Sequence, residues 1–485
     1  MQYTIKLFAE ITIKSRPVRL RLVRLLRDNL RTLLKPIDPD IQIERHWDYL
    51  SLHSESDSVT QEKLVDVLSR TPGISHYQRV HAFPLSDFDT LLAHTKALYG
   101  PVLTDRTFCV RCRRSGEHPF RSNDVERHIG AGLLQQCQTR GVKLKSPDVT
   151  VQLEIRGDTF YIIEQDFPGL GGFPMASQEA VLSLLSGGFD SSVASYLCMK
   201  RGLLTHYCFF NLGGDAHERA VKEIAVFLWM KYGASHRVKF ISVPFVDVVR
   251  EIQETVHHSQ MGVVLKRMML RAASVIATRF EIQALVTGEA VAQVSSQTLP
   301  NLAVIDQACP MLVLRPLAMT DKPDIIHLSR HIGTEVFAKN IPEYCGVISN
   351  KPTTRAKADR VEREESRFDF SVLDHAIATA MASNIDEIAL GHDKSIPLPF
   401  WDTPPPGAIV LDIRHPDETE QNPLHLPDTV CLTLPFYLLH KRYAELDAAQ
   451  HYLLYCERGI MSRLQAEFLR AQGFSHVSLY KPTSS

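Results

Sequence analysis

The sequence predicts a multidomain α/β protein, on three observations. With 485 residues, the chain is longer than one hydrophobic core normally serves, and roughly three domains are expected. Between about residues 175 and 395, strand-like segments alternate with amphipathic helical segments, which is typical of a parallel sheet with helices on both faces. Apolar residues make up 44% of the chain and charged residues 22%, so the composition excludes whole-chain disorder.

The N-terminal segment has the pattern of a strand and not of a secretion signal. Lys6 and Glu10 interrupt the apolar stretch that a signal peptide needs. Elsewhere the apolar runs are short and broken by charges, so we expect no membrane-spanning helix. The nine cysteines are odd in number and irregularly spaced, which favours cytosolic thiols over an extracellular disulfide framework. The expected location is therefore cytoplasmic.

A basic helix is predicted in a first domain that we place at residues 1–60. Ser15 and Pro17 supply its cap and first turn, and apolar residues at helical spacing follow. A face turned only to solvent would carry interleaved acids, but Asp28 is the single acid between residues 14 and 35. We therefore favour a phosphate-binding surface over a merely solvated one. Its candidate RNA-binding residues are Arg24, Arg27 and Arg31.

A second α/β unit is predicted at residues 61–165. It contains a helix from about 122 to 137 that Ser122 and Asn123 can cap, so that the helix N-terminus and the preceding arginines could bind phosphate together. Cys109 and Cys112 form one C-x-x-C pair, but a structural zinc site needs four ligands, so we interpret both as buried thiols. The strands are expected near 107–111, 149–153 and 159–163, and the candidate RNA-binding residues are Arg111, Arg113, Arg114 and Arg121.

A loop that could bind a nucleotide follows the apolar strand VLSLL. It reads S-G-G-F-D-S at residues 186–191 and opens a helix. The small residues let backbone N–H groups approach a pyrophosphate, and the helix N-terminus adds partial positive charge. A plain strand-to-helix turn rarely needs two glycines flanked by serines and an acid, and no G-K-[ST] follows as in a Walker A loop. The string resembles the PP-loop of ATP pyrophosphatases, which adenylate a carbonyl oxygen.

Further candidates for the same nucleotide lie downstream. Lys266 and Arg267, in VVLKRMMLR, can neutralise phosphates, and Gly288 and Glu289, in TGEAVAQVSSQT, follow the strand QALV. Asp190 is expected to be catalytic. The full predicted ATP-binding set is Leu184, Leu185, Ser186, Gly187, Gly188, Asp190, Ser191, Lys266, Gly288, Gln297 and Lys322.

A proline-rich stretch at residues 397–406 predicts a linker to a last domain at residues 404–482. In this domain Cys456 lies in the segment YCERGIMS, between a predicted strand and a predicted helix. Loop N–H groups, the helix N-terminus and Arg458 would favour a thiolate there. With VLDIR upstream and GFSHVSLY downstream, the loop resembles the active site of rhodaneses, which carry sulfur as a cysteine persulfide.

Cys345 is the second thiol of interest. It lies in IPEYCGVISNKPTT, between Pro342 and Gly346, and the local sequence leaves a loop position and a buried core position equally open. Over nearly the whole chain the motifs resemble the bacterial tRNA 4-thiouridine synthetases. The resemblance implies an N-terminal ferredoxin-like domain, a THUMP RNA-binding domain, a PP-loop domain at residues 175–395 and a rhodanese domain. It also implies a redox disulfide between Cys345 and Cys456.

The resemblance implies ATP-dependent conversion of a tRNA uridine, at position 8, to 4-thiouridine. The PP-loop domain would adenylate the C4 oxygen with Mg²⁺ shielding the phosphates, and persulfide sulfur on Cys456 would replace AMP. A cysteine desulfurase would supply the sulfur, and some members of the family also feed a small sulfur-carrier protein for thiamine synthesis. Two other functions stay open: a rhodanese-type sulfur carrier for which tRNA binding is secondary, and a non-catalytic RNA-binding protein.

Overall fold

The computed structural model describes residues 1–339, 341, 351–390, 398–414, 416–427, 429–457 and 459–482. The chain forms two compact units. The first comprises residues 1–177 with 200–202, and the second comprises residues 178–199 and the chain from residue 203 onward. In the part of the chain that is described, no helix is long and apolar enough to cross a membrane.

The first unit is built on one eight-stranded sheet with the strand order β2-β3-β1-β4-β8-β7-β5-β6. Its strands are β1 (Gln2–Leu7), β2 (Gln42–Arg45), β3 (Tyr49–His53), β4 (Ile74–Pro84), β5 (Thr107–Ser115), β6 (Gly141–Val142), β7 (Val149–Arg156) and β8 (Thr159–Gly171). Its helices are α1 (Ala9–Thr12), α2 (Arg16–Leu34), α3 (Ser58–Arg70), α4 (Phe88–Tyr99) and α5 (Ser122–Gln136).

The two predicted N-terminal domains share this sheet. Strand β1, in the first predicted domain, pairs antiparallel with β4, in the second, and helix α3 runs across the predicted boundary at residue 60. Each half nevertheless has a core of its own: Leu26 and Leu64 belong to one, and Leu91 and Leu133 to the other. Helix α3 belongs with the first core, because Leu64 packs there. The domain limits 1–60 and 61–165 stay a prediction.

The second unit begins with a six-stranded sheet of order β13-β12-β9-β10-β11-β14. Its strands are β9 (Gln178–Leu184), β10 (Leu203–Asn211), β11 (Lys239–Pro244), β12 (Ala284–Val286), β13 (Leu312–Leu314) and β14 (Met381–Asn384). Its helices are α6 (Phe189–Lys200), α7 (Gly214–Leu228), α8 (Val246–Thr255), α9 (Met261–Arg279), α10 (Leu299–Asp306), α11 (Lys322–Ile332), α12 (Glu335–Ala338), α13 (Ala358–Glu365), α14 (Phe370–Ala378) and α15 (Ile385–Leu390).

Helices cover both faces of this sheet, as the sequence predicts. On β9, Ser183 contacts Ser195 of helix α6 through their hydroxyls, 2.8 Å apart, while the neighbouring Leu182 packs in the core that contains helix α9. The paired strands are parallel except for β14, which runs antiparallel to β11. The chain leaves β9 for β10 on one side and returns to β12 on the other. The carboxyl ends of β9 and β12 thus flank a topological switch point, where α/β proteins bind ligands.

The C-terminal part of the second unit has a parallel five-stranded sheet of order β15-β19-β18-β16-β17. Its elements are β15 (Phe400–Trp401), β16 (Ile409–Asp412), α16 (Pro416–Gln421), β17 (Val430–Thr433), α17 (Phe436–Arg442), β18 (Tyr452–Tyr455), α18 (Ile460–Ala471) and β19 (Val477–Tyr480). The prediction that residues 397–406 form only a linker is wrong for Phe400 and Trp401. These residues pair with Leu479 and Tyr480, so the domain begins inside the proline-rich stretch.

Candidate nucleotide and sulfur-transfer sites

The glycine loop, residues 185–188, joins the end of β9 to helix α6. Gly187 has φ +88°, a conformation that residues with a Cβ seldom adopt. A Cβ there would also lie 2.7 Å from the Ile341 side chain. The loop closes on the first turn of the helix, because the Ser191 hydroxyl accepts a hydrogen bond from the Ser186 N–H at 3.2 Å. This fixes the backbone at the helix N-terminus, where anions bind.

The loop after β12 packs directly against the glycine loop. A Cβ on Gly288 would lie 2.6 Å from both the carbonyl carbon of Asp190 and the nitrogen of Ser191. Only glycine therefore permits this close approach of two backbones. Gly288 and the S-G-G-F-D-S string, about a hundred residues apart in sequence, meet at the switch point as the nucleotide hypothesis requires.

Asp190 is held by two partners from other parts of the site. The Lys322 ammonium, at the start of helix α11, donates to its Oδ1 at 2.6 Å and its Oδ2 at 2.9 Å. Gln293 Nε2 donates to Oδ2 at 2.8 Å. The sequence predicts Asp190 and Lys322 but misses Gln293, since a lone glutamine in a loop carries no signal.

Lys266 is linked to the same loop through Glu289. Its ammonium donates to Glu289 Oε1, and Arg315 Nε donates to Glu289 Oε2 at 2.8 Å. Burial would raise the pKa of Glu289, but the charges and hydrogen bonds of Lys266 and Arg315 outweigh it, so the pKa is lowered. The sequence misses Arg315, which directly follows the three-residue strand β13.

Arg267 is buried in an ion pair and does not face the candidate nucleotide site, contrary to the sequence-based interpretation. Its side chain is 3% exposed and donates to Glu365 Oε1 at 2.6 Å and Oε2 at 2.9 Å. Adjacent residues on a helix point about 100° apart, so Lys266 faces the site while Arg267 faces the core.

Two glutamine oxygens in the segment that follows Gly288 have no hydrogen-bond partner in the described chain. They are Oε1 of Gln293 and Oε1 of Gln297, and both atoms are buried. Buried acceptors are normally paired, so unpaired ones next to a candidate nucleotide site suit the hydroxyl or amine donors of a ligand. That the predicted residues bind ATP stays a prediction, which this geometry supports.

Cys456 lies between β18 and helix α18, as predicted. The Ser462 N–H donates to its Sγ at 3.2 Å, and Sγ lies 3.4 Å from the Ser462 hydroxyl. Loop N–H groups favour a thiolate, as predicted, but burial of the sulfur opposes it. Burial raises the pKa of Cys456, and the hydrogen bonds from Ser462, Met461 and Gly459 offset this only in part. Arg458 lies outside the described residues.

The structure describes the other cysteines except Cys345. Cys345 lies outside the described residues, so its pairing with Cys456 stays a prediction. The interpretation of four others as buried core thiols is confirmed: Cys109, Cys112, Cys198 and Cys208. Burial raises the pKa of Cys112 and of Cys198 to about 12, so these thiols are unreactive at neutral pH.

The C-terminal domain packs against the rest of the second unit. The rings of Phe337, on helix α12, and Phe436, on helix α17, lie 4.9 Å apart. Glu223 of helix α7 is hydrogen-bonded to Gln465 of helix α18, and burial raises the pKa of Glu223 to about 7. This contact places an acid that titrates near neutral pH between the two domains.

We expect this contact to weaken as the pH rises. A raised folded-state pKa means that protonated Glu223 favours the folded state, and this contribution is lost between the unfolded value of 4.5 and about 7. The unfolding temperature of Glu223→Gln should therefore exceed that of the wild type more at pH 8 than at pH 5. Calorimetry of both proteins at the two values tests this, and an equal difference at both would contradict it.

The predicted basic face of helix α2 is exposed at Arg24 and Arg31 and half-buried at Arg27. Arg27 pairs with Asp28 at 2.7 Å, and Arg31 donates to the Ile43 carbonyl at 3.2 Å. The sequence misses Trp47, which is 48% exposed and has the Arg19 guanidinium 3.7 Å from its ring centre. Arginine and an exposed indole side by side are common where single-stranded nucleic acid stacks.

The second basic group lies on β5 and at the start of helix α5. Arg111, Arg113 and Arg121 are exposed, whereas Arg114 is half-buried and donates to the Gly116 carbonyl at 2.9 Å. The prediction that Ser122 or Asn123 caps helix α5 is wrong. Arg121 is the N-cap residue, and the Asp124 carboxylate accepts its N–H at 2.7 Å.

The fold and the sites define an α/β protein with a PP-loop type of nucleotide site and a rhodanese-like sulfur-transfer loop. Three family models match: "Thiamine biosynthesis protein (ThiI)" at residues 176–370, "THUMP domain" at 86–163 and "Rhodanese-like domain" at 402–482. The tRNA sulfurtransferase of Pseudomonas aeruginosa strain UCBPP-PA14 is 51% identical over 99% of this chain and all of its own. Those of Saccharophagus degradans and Shewanella loihica are each 50% identical over the same shares. The chain belongs to the tRNA sulfurtransferase family.

Solved structures have the same fold. A 4-thiouridine synthetase in complex with RNA and ATP aligns with a TM-score of 0.69 at 24% identity, covering 79% of this chain and 99% of that one. PH1313 from Pyrococcus horikoshii aligns with a TM-score of 0.53 at 18% identity, covering 69% of this chain and all of its own. The predicted fold class and the predicted family are confirmed.

Proposed function

We propose that this protein uses ATP to convert a tRNA uridine, at position 8 by family resemblance, to 4-thiouridine with sulfur carried on Cys456. The observation that carries the proposal is the pairing of two sites in one compact unit. A glycine loop at a switch point can activate an oxygen with a nucleotide, and a cysteine in a rhodanese-like loop can carry sulfur. Neither site alone would replace an oxygen by sulfur.

The glycine loop is suited to the activation step. The C4 oxygen of uridine is a poor leaving group, so it attacks the α-phosphate of ATP and pyrophosphate leaves. Loop N–H groups, the helix N-terminus and the ammonium groups of Lys266 and Lys322 would hold the phosphates. The unpaired oxygens of Gln293 and Gln297 would accept hydrogen bonds from the nucleotide.

Mg²⁺ belongs to the same proposal. Protein sites usually hold it through one or two carboxylates together with substrate phosphates. Asp190 is the carboxylate of the glycine loop, and its side chain is 22% exposed, so one protein ligand fits this mode of binding. Bound Mg²⁺ would neutralise charge on the phosphates.

Sulfur delivery would follow at Cys456. A cysteine desulfurase would load the thiol as a persulfide, whose terminal sulfur attacks C4 and expels AMP. The Cys345 thiolate would then attack Cys456 Sγ, releasing thiouridine and leaving a Cys345–Cys456 disulfide that an external dithiol reduces. The match of residues 176–370 to the thiamine biosynthesis protein (ThiI) family supports a further role, in which the same persulfide feeds a sulfur-carrier protein for thiamine synthesis.

Nucleoside analysis tests the proposal. Purified protein, ATP, unmodified tRNA, a desulfurase and cysteine should together yield thiouridine, detected by mass spectrometry of the digested tRNA, and leaving out ATP should abolish it. Persulfide formation without thiouridine, and transfer of sulfur to a protein acceptor alone, would favour the rhodanese-type carrier instead. Absence of both ATP–pyrophosphate exchange and persulfide would favour a non-catalytic RNA-binding protein.

The basic face of helix α2 is expected to bind tRNA through phosphates. Reversing the charge at Arg24, Arg27 and Arg31 should weaken binding and reduce the salt dependence of the association constant, by roughly one in log–log slope for each lost contact. Filter binding at several salt concentrations measures both quantities.

A matched control makes the same change of net charge elsewhere. Arg237, Arg250 and Arg442 are exposed arginines of the second unit that pair with surface acids. Reversing these three should leave the salt slope unchanged. Equal slopes for the two triple variants would show that helix α2 does not contact RNA phosphates.

A further inference from the structure

Four charged side chains form a row that ends at the nucleotide site. Asp306, the last residue of helix α10, accepts a hydrogen bond from Arg315 Nη1 at 3.0 Å. Arg315 Nε in turn donates to Glu289 Oε2 at 2.8 Å. Glu289 Oε1 accepts the Lys266 ammonium. The exposed fractions of the side chains are 44% for Asp306, 13% for Arg315, 9% for Glu289 and 24% for Lys266. Asp306 is thus the end of the row at the surface, Arg315 and Glu289 are its most buried members, and Lys266 is the end at the candidate nucleotide site.

Glu289 is fixed from several directions. Besides Arg315, the Thr287 hydroxyl donates to Oε2 at 3.0 Å, and Oε1 holds Lys266. The residue lies next to Gly288, whose backbone touches Asp190 and Ser191. Both carboxylate oxygens are therefore occupied, and the carboxylate has one orientation relative to the glycine loop.

Lys266 gains its position from this carboxylate. A lysine side chain is a flexible stem with a point charge, and an ammonium has three donors. Glu289 takes one donor, which leaves two for phosphate oxygens. An ammonium held at one point before the nucleotide arrives loses less freedom on binding than a free one.

We propose that Arg315 is a positioning residue for nucleotide binding, which holds Glu289 so that Glu289 holds Lys266. The inference rests on the proposed function, because it takes the nucleotide to bind at Lys266. Among the described residues, no hydrogen bond or ion pair joins the Arg315 side chain to the glycine loop or to Asp190. Its guanidinium is joined to Glu289 and Asp306, so its effect on the nucleotide is transmitted through the carboxylate.

Steady-state ATP–pyrophosphate exchange in the presence of saturating unmodified tRNA, which supplies the oxygen to be adenylated, tests the assignment in the full-length protein. Arg315→Met should raise the KM for ATP roughly tenfold, with kcat changed less than about threefold, because positioning is lost while the chemistry is not. Arg315→Lys keeps one donor for Glu289 and should give an intermediate KM. Asp306→Asn removes only the half-exposed end of the row, should fold normally and should raise the KM by a smaller factor.

Arg267→Met is the matched control, because Arg267 also forms a buried ion pair, with Glu365, and lies on the same helix as Lys266. It should lower the unfolding temperature as Arg315→Met does but leave the KM for ATP unchanged in the folded protein. A KM that is unchanged in Arg315→Met, or raised equally in both variants, would overturn the proposal.

Lys266→Met separates this inference from the proposed function. A raised KM in Lys266→Met together with an unchanged KM in Arg315→Met would reject the positioning role and leave the nucleotide site standing. An unchanged KM in Lys266→Met would instead reject Lys266 as a nucleotide ligand, and the positioning proposal with it.

Discussion

Replacing Cys456 with serine is expected to abolish thiouridine formation while ATP and tRNA binding stay unchanged. A hydroxyl oxygen cannot form a persulfide, so the loss should be on the order of a thousandfold or more, as when a nucleophile is removed. Serine is close in size to cysteine and can accept the Ser462 N–H that now contacts Sγ, so the loop should keep its shape. Mass spectrometry of the intact protein after incubation with a desulfurase and cysteine should show the added sulfur in the wild type only.

The pH dependence of loading gives an independent check. Burial raises the pKa of Cys456, so the thiolate fraction is small at neutral pH, and loading should accelerate as the pH is raised into the alkaline range. Ser462→Ala removes the hydroxyl beside Sγ and should raise the pKa further, which shifts the loading profile to higher pH. A loading rate independent of pH in both proteins would contradict this explanation.

Cys345→Ser is the companion variant. If Cys345 resolves the persulfide, this variant should still be loaded at Cys456 but should lose multiple turnover and form no internal disulfide. A non-reducing digest after one turnover without reductant measures the linkage. A disulfide between Cys456 and some other cysteine, or full multiple turnover by Cys345→Ser, would leave Cys456 as a simple persulfide carrier.

Local signals in the sequence predict the positions of most elements near the sites. The alternation of apolar residues and the S-G-G-F-D-S string give β9, the glycine loop and helix α6, because strand periodicity and glycine conformation are local properties. The same holds for β18, the Cys456 loop and helix α18. In the structure each loop lies between the strand and the helix that the sequence predicts on its two sides.

What the sequence misses depends on pairing between distant segments. The antiparallel contact of β1 with β4 merges two predicted domains into one sheet, and no change of composition marks it. Phe400 and Trp401 join the last sheet by pairing with residues about eighty positions away. The prolines on either side of them in the sequence indicate a linker instead. Local periodicity contains no information about such partners.

The prediction of the site residues also fails where a side chain's role depends on a partner that is distant in sequence. Lys266 and Arg267 are adjacent and both basic, so the sequence treats them alike. In the structure Lys266 binds Glu289 in the loop after β12, whereas Arg267 is buried against Glu365. Arg315 belongs to no recognisable sequence motif. Only its ion pair with Glu289 indicates that it belongs to the site. Residue type predicts which chemistry is available, and the three-dimensional partners decide where it is used.

Asp190→Ala is expected to abolish AMP formation while tRNA still binds. The carboxylate orients Lys322 and Gln293 beside the glycine loop, and it is the carboxylate proposed to hold Mg²⁺. Its loss removes both functions, and we expect a decrease in kcat on the order of a hundredfold or more. The Asp190–Lys322 pair is partly exposed, so the free energy of unfolding should change by only about 1 kcal/mol.

The comparison of binding with turnover separates two roles for Asp190. If the carboxylate only masked Lys322, its removal would free an ammonium for the phosphates, and both ATP binding and AMP formation would improve. If it is catalytic, ATP can still bind in Asp190→Ala, but AMP formation is lost. Asp190→Asn keeps a side chain of the same shape without the charge, and it should be as inactive as the alanine variant if charge is what matters. Isothermal titration with a non-hydrolysable ATP analogue and chromatographic assay of AMP measure the two quantities, and undiminished thiolation by either variant would reject the ATP reaction at this loop.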